Sequence, residues 1–300
     1  MTTFNLQRVA ATLRDQFPGI EPAAPLRVLG QGFGSIVVET HSGFIFRLAR
    51  NALVAGRQRR EQTLLDRIRP HIHRFDLPNP EYQMAPSAAI PFGGVGYRRL
   101  AGTPLQPADL TARNRNNLAV QLADFIGQLQ QIPLRRLTNL ELPRFPPSPA
   151  ELAQTWRKIT PFLKDAFSGD EYSVLASWWE EALSKWQFPA QQPVLVHGDL
   201  WYENILLDAE RQTILGILDF ESAAIGDPLT DLVPQFYLGD VFLQAVARAL
   251  PASHYISDLN AHLRRLLGLR ELMGLAYGLQ VSEVDGDTAA KIRRTILEQR

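Results

Sequence analysis

A polar loop between two apolar runs holds the residues best suited to chemistry. It reads Val196-His197-Gly198-Asp199-Leu200-Trp201-Tyr202-Glu203-Asn204-Ile205-Leu206-Leu207, with Asp199 and Asn204 five residues apart. A second carboxylate, Asp219, closes the apolar run Ile214-Leu215-Gly216-Ile217-Leu218. An aspartate beside a bound alcohol can accept or orient the proton of an attacking hydroxyl. A neutral amide oxygen can bind Mg²⁺ without adding an anion beside phosphates, and a carboxylate can bridge that ion to them. Together the three residues describe phosphoryl transfer from a nucleoside triphosphate to a hydroxyl. Asp199 is the expected catalytic residue, and Asn204 and Asp219 are the expected metal ligands.

The elements that must position these groups are legible from periodicity. A first helix is expected over 4–17, ended by Pro22 and Pro25. Three β-like runs follow at 26–29, 35–40 and 44–48. The loop Gly30-Gln31-Gly32-Phe33-Gly34-Ser35 separates the first two, and His41-Ser42-Gly43 turns the chain before the third. Glycines there let backbone N–H groups approach phosphates. A dinucleotide fingerprint would open a helix at this point, whereas 35–39 reads as a strand. A helix is expected over 52–68. The Pro- and Gly-rich stretch 78–104 contains a further β-like run at 96–100. Residues 1–100 are therefore expected to form a nucleotide-binding lobe with its hinge, and 101–300 a catalytic and substrate-binding lobe. In the second part, Leu118, Leu122, Phe125, Ile126 and Leu129 mark one helix. Ser148-Pro149-Ala150-Glu151 is a capping box that opens another. Leu175, Trp178, Trp179, Ala182, Leu183 and Trp186 mark a third helix, whose aromatic stripe reads as core. Short β-like runs return at 194–196, 205–207 and 214–218. A β-rich first part joined to a helix-rich second part predicts an α+β, two-lobed protein.

Composition narrows the field. The 300 residues are 45% apolar, with 31 basic and 31 acidic side chains and no cysteine. No global field draws the chain to nucleic acid or to an anionic membrane. Disulfides, thiolate metal sites and a cysteine nucleophile are excluded. No signal peptide or spanning apolar stretch is visible, and a cytoplasmic location is expected.

The Asp199–Asn204 spacing is that of the protein-kinase catalytic loop, and Asp219-Phe220-Glu221 stands where kinases carry Asp-Phe-Gly. The order of Gly30–Ser35, Arg47, Glu61, Asp199, Asn204 and Asp219 resembles the aminoglycoside phosphotransferase family, which has a protein-kinase-like fold. The His-Gly-Asp form at 197–199 is typical of that family. So is Ala223-Ala224-Ile225-Gly226-Asp227-Pro228-Leu229-Thr230-Asp231-Leu232. The resemblance implies that Arg47, where most relatives have lysine, holds the α- and β-phosphates and pairs with Glu61. It also implies that Tyr97, Arg98 and Leu100 form the hinge against the base, Arg98 and Leu100 through their backbone. ATP or GTP with Mg²⁺ is the implied donor, and a bulky Tyr97 behind the base favours competition by GTP.

The implied acceptor is a hydroxylated small molecule. An aminoglycoside comes first, which would make antibiotic resistance the activity. A macrolide, choline, homoserine or a sugar are the rivals, and an inactive kinase-fold binding module is a reading of a different class. Glu221 in place of the kinase glycine, with Gly198 in place of arginine, argues against a protein kinase. No obligate protein partner is expected. A pocket for a polycation should gather carboxylates, and Glu271 and Tyr277, on the apolar helical segment 266–279, are the candidates to line it. The remaining polar residues read as structural. His197 orders its loop, Asp227 caps the following helix, and Asp231 is structural too. His71 and His73 are solvated, and Arg57, Arg59 and Arg60 form the wet face of their helix.

Overall fold

The computed structural model describes residues 4–20, 26–32, 34–184, 192–250, 258–281 and 284–298. Helix α1 (Leu6–Gln16) is opened by Asn5, whose side chain accepts from the N–H groups of Gln7 and Arg8 at 3.1 Å. A five-stranded sheet follows in the order β1-β2-β3-β5-β4, built from β1 (Arg27–Gln31), β2 (Ser35–Glu39), β3 (Phe44–Ala49), β4 (Tyr82–Met84) and β5 (Gly94–Arg98). β3 is central and buried along its whole length. Strand alternation divides its side chains between two faces. Phe44, Phe46 and Leu48 join Val9 and Leu13 of α1 in one core, whereas Ala49 packs on Val54 and Ala55 of α2 (Ala52–Ile68). Arg47 shares the register of Ala49 and therefore also faces α2.

The second part is mainly helical. A large core joins α3 (Arg115–Gln130), α6 (Asp240–Ala249) and the first half of α7 (Leu259–Val281) to three short strands. These are β8 (Val194–Val196), β9 (Ile205–Leu207) and β10 (Ile214–Ile217). Leu64 to Leu77 contribute to this same core, so the end of α2 is anchored beside the loop that carries Asp199. A further core joins α4 (Pro149–Ala166), α5 (Gly169–Ser184), α8 (Thr288–Ile292) and the second half of α7. Trp156 stacks on Trp179 at 4.9 Å within it, which places that part of the aromatic stripe in the core, while Trp186 lies outside the described residues. The capping box at Ser148 and Glu151 forms as expected. Four short strands carried no run of large apolar residues to mark them: β4, β6 (Thr103–Pro104), β7 (Arg144–Phe145) and β11 (Ala224–Gly226). β6 pairs with β9, and β11 lies between β7 and β8.

Two expected boundaries move. β1 continues through Gly30 and Gln31, which pair with Val37 and Ile36 across a bulge, so the glycine loop is shorter than its sequence suggests. The bulge at Leu29 takes up one extra residue, so the ladder continues to Gln31. The strand expected over 96–100 is Gly94–Arg98, because its partner β3 fixes the register and places Tyr97 opposite Ile45.

Candidate active site

The loop 197–204 is held by backbone geometry. Gly198 has φ +76°, and a Cβ there would overlap the carbonyl oxygen of Ser222. Only glycine fits that close approach. Asp231, fully buried, accepts from the N–H groups of His197 at 2.8 Å and Gly198 at 2.9 Å. Burial pushes its carboxyl up. His197 accepts from the Asp199 N–H on Nδ1 at 3.2 Å and lies 2.9 Å from the Leu218 carbonyl through Nε2. Those partners assign the proton to Nε2. Both ring nitrogens are thus engaged by backbone, as a loop-ordering residue requires.

Asp199 emerges from this frame with its side chain 30% exposed. Asn204 donates from Nδ2 to the Asp199 carbonyl at 2.9 Å, which leaves its amide oxygen as the outward atom. Leu218 N–H donates to the Asn204 carbonyl at 2.8 Å and so ties Asp219 beside Asn204. Asp219 adopts φ +64°, a left-handed conformation that aspartate tolerates better than most residues. One amide and one carboxylate oxygen on adjoining segments fit Mg²⁺, which keeps waters and takes its other ligands from phosphates. Among the described residues, no group of three or more His, Cys, Asp or Glu forms an all-protein metal cage.

Arg47 is the hub on the other side. Its Nη1 reaches both oxygens of Glu61 at 2.9 and 3.0 Å, and its Nη2 reaches Asp219 at 3.0 Å and also Glu221. Glu61 accepts in addition from the Phe220 N–H at 2.8 Å. Burial pushes the Glu61 carboxyl up to about 7, against the pull of Arg47. This is no surface ion pair: Arg47 and Glu61 are 6% and 2% exposed. Glu221, noted in the sequence only as a missing glycine, is a working partner of Arg47.

The other expected site residues fall as follows. Gly30 and Gln31 lie in β1; Gly32 and Gly34 turn towards Ser35 of β2, with Gly32 N–H bonded to the Ser35 carbonyl at 3.1 Å. Phe33 lies outside the described residues. Tyr97 is buried inside β5, and burial pushes its phenol up to about 12. The next residues reach the crossing strand: Arg99 N–H bonds the Gly43 carbonyl at 2.9 Å, and β4 stops opposite Gly96. Strand alternation turns the Arg98 backbone groups outward beyond the end of β4. Leu100 lies against Gly216 of β10.

Glu271 and Tyr277 do meet Asp199, in a cleft of about 900 Å³. Glu271 accepts from the Tyr237 hydroxyl at 2.9 Å, and Tyr277 lies beneath the Arg57 guanidinium at 4.6 Å from its ring centre. Two readings need correction. Arg57 and Arg60 line the cleft, because the turn of α2 that buries Gln58 and Glu61 brings them to its mouth; Arg59 alone is exposed. Asp227 is not the cap of a helix directly after it. It accepts from Leu229 N–H at 2.8 Å, ahead of a 3₁₀ turn at Thr230–Leu238, and its other oxygen meets His262 Nε2 at 2.6 Å. A residue that sequence reasoning passed over sits nearest the chemistry. Arg270 of α7 pairs with the Asp199 carboxylate, donates to the Gly198 carbonyl at 2.8 Å and covers the Trp201 ring at 5.3 Å.

The profile of APH, the phosphotransferase enzyme family, matches residues 26–264. The chain belongs to the phosphotransferase enzyme family. The GDP complex of aminoglycoside 2'-phosphotransferase-IIIa is similar over 98% of both chains, at 22% identity and TM-score 0.81. The streptomycin–ATP complex of APH(2")-IIa is similar over 99% of this chain and 97% of its own, at 18% identity and TM-score 0.72. Macrolide 2'-phosphotransferase type I is similar over 99% of both chains, at 17% identity and TM-score 0.72. No curated protein matches the chain. The phosphotransferase therefore has the kinase-like α+β fold, with a sheet-bearing first part and a helical second part. Among the described residues, no helix is long and apolar enough to cross a membrane.

Proposed function

We propose that this phosphotransferase is a small-molecule kinase that moves the γ-phosphoryl group of ATP or GTP to an alcohol. The observation that carries the reading is the convergence of Asp199, Asn204 and Asp219 on one loop pair, with Arg47 and Glu61 brought to Asp219 from the sheet. Residues 1–100 would hold the donor and 101–300 the acceptor. The outward backbone of Arg98 and Leu100 would meet the base, with Tyr97 packed behind it, and residues 30–35 would cover the phosphates. Arg47 would hold the α- and β-phosphates on a guanidinium already oriented by Glu61. Asn204 and Asp219 would hold Mg²⁺, which supplies charge neutralisation on the transferring group. Asp199 accepts the hydroxyl proton as the acceptor oxygen bonds to γ-phosphorus. The bond from phosphorus to the bridging oxygen breaks, and the nucleoside diphosphate leaves with its electron pair.

Relatives of the same fold carry kanamycin, gentamicin or streptomycin in their structures. Aminoglycosides are therefore the first acceptors to assay, followed by macrolides, choline, homoserine and sugars. The test is a coupled nucleotide assay over that panel with ATP and GTP, with mass detection of product. Asp199→Ala should lower turnover on any active compound by about 10²–10⁴-fold and leave nucleotide affinity within about twofold. Wild-type turnover in that variant overturns the assignment. Nucleotide binding without transfer to any compound favours a kinase-fold binding module.

A further inference from the structure

The cleft beside Asp199 has an uneven charge account. Three of its five carboxylates are already paired with cations, and the other two hold neutral hydrogen-bond donors. Asp199 is paired with Arg270 and Glu221 with Arg47. Glu271 holds the Tyr237 hydroxyl, Glu151 caps Ser148, and Asp285 pairs with Lys291 at 2.8 Å. Four of the six basic side chains on the same walls are different. Among the described residues, Arg57, Arg60, Arg144 and Lys158 line the cleft and none forms an ion pair. Arg57 and Arg60 lie one helical turn apart on α2, and the Arg60 guanidinium is held below its usual value by burial and then by the charge of Arg57.

The position of the catalytic carboxylate adds a second constraint. Arg270 lies on Asp199 itself, so a cationic acceptor would bring its ammonium groups against a guanidinium at the point of reaction. A polycation is matched by exposed carboxylates, and among the described residues here only Glu151 and Glu271 are not already paired with a cation, against four unpaired basic side chains. Arg57 and Arg60, on the side of Glu221, stand where donor phosphates could use them. Arg144 on β7 and Lys158 on α4 line the same cleft from elements of the second part.

We infer that the acceptor is a hydroxylated compound bearing an oxyanion, a carboxylate or a phosphate, held by Arg144 and Lys158. The inference rests on the kinase reading and replaces its aminoglycoside preference. The acceptor hydroxyl would face Asp199 while the anionic end lies against β7 and α4. Arg270 would then screen the two negative groups from each other.

Two readouts separate this inference from the kinase reading beneath it. The first is turnover with Mg²⁺ and ATP or GTP on gluconate, glycerate and glucose 6-phosphate (anionic), glucose (neutral), and kanamycin and gentamicin (cationic). The second is equilibrium binding of the same compounds, by thermal shift. The expected result is tighter binding and higher kcat/KM for an anionic compound. The carboxylate and phosphate arms say which oxyanion the wall prefers. The double variant Arg144→Gln, Lys158→Gln should raise that compound's KM and dissociation constant by about tenfold or more. Charge reversal at both positions should move the preference towards kanamycin. Both residues are exposed, so a matching melting temperature shows that the fold is intact. Anion binding that depends on Arg144 and Lys158, without transfer, keeps the inference and removes the kinase reading. Kanamycin or gentamicin bound and phosphorylated in preference to every anionic compound overturns the inference and keeps the kinase reading. Failure of every anionic compound to bind also overturns it.

Discussion

The two sides of the cleft treat charge in opposite ways. On the sheet side, Arg47 is buried and shares its guanidinium among Glu61, Asp219 and Glu221. On the helical side, Arg144 and Lys158 stand exposed, without carboxylate partners among the described residues. Burying a charge is costly unless it is paired, so the sheet side must bring its own counter-ions whatever ligand arrives. An exposed cation carries no such cost and can wait for a ligand to supply the anion. The first arrangement therefore reports on scaffold and positioning, and the second on the charge of what binds.

The largest effect that could break this contrast lies at the buried hub. Arg47→Ala leaves three carboxylates facing one another and should destabilise the fold by about 3–5 kcal/mol. Urea unfolding should show it as a lower midpoint at unchanged slope. A loss below about 1 kcal/mol, the range of exposed pairs, would erase the difference between the two sides.

A middle-sized effect is expected in the loop between them. Gly198→Ala places a Cβ on the Ser222 carbonyl oxygen at a backbone φ of +76°. The strain should be about 1–3 kcal/mol. Because Asp199 is the next residue, kcat should fall more than KM rises. Equal effects on both would show that the loop does not position the carboxylate.

The smallest effect concerns exposed pairs and sharpens the account of exposed cations. Arg293 and then the Ser168 N–H hold the Glu171 carboxyl down at about 2, from an ordinary 4.5. A depressed folded-state value means that this stability is present above about 4.5 and is lost as pH falls towards 2. Glu171→Gln should therefore melt slightly below the parent at pH 7, with the gap closing through that acid range. Lys158→Gln, which breaks no pair, should melt with the parent at every pH. A melting loss at Lys158 comparable to that at Glu171 would mean that the helical side is internally paired after all.

Much of the scaffold was readable in advance because it is local. The helix over 52–68 and the strands at 194–196 and 205–207 match their observed limits, since each carries its own apolar period. β7 (Arg144-Phe145) and β11 (Ala224-Ile225-Gly226) escaped notice because they lack the unbroken run of large apolar residues that marks Val194–Val196 and Ile205–Leu207. β1 ran past its expected end because its pairing with β2, not its composition, decides where it stops.

The same division holds for chemistry. The sequence alone placed Asp199, Asn204 and Asp219 on loops closing apolar strands, because backbone hydrogen bonding couples neighbours along the chain. The pairing of Arg47 with Glu61 was implied only by the family resemblance. What the sequence left undecided was the company each charge keeps. Arg47 meets Asp219 across 172 residues, and Arg270 meets Asp199 across 71. Arg57 and Arg60 read as a solvated face until the packing of α2 set them at the cleft. Such pairings depend on how whole helices and sheets pack, because side-chain electrostatics acts through space while sequence periodicity records only the chain's own path.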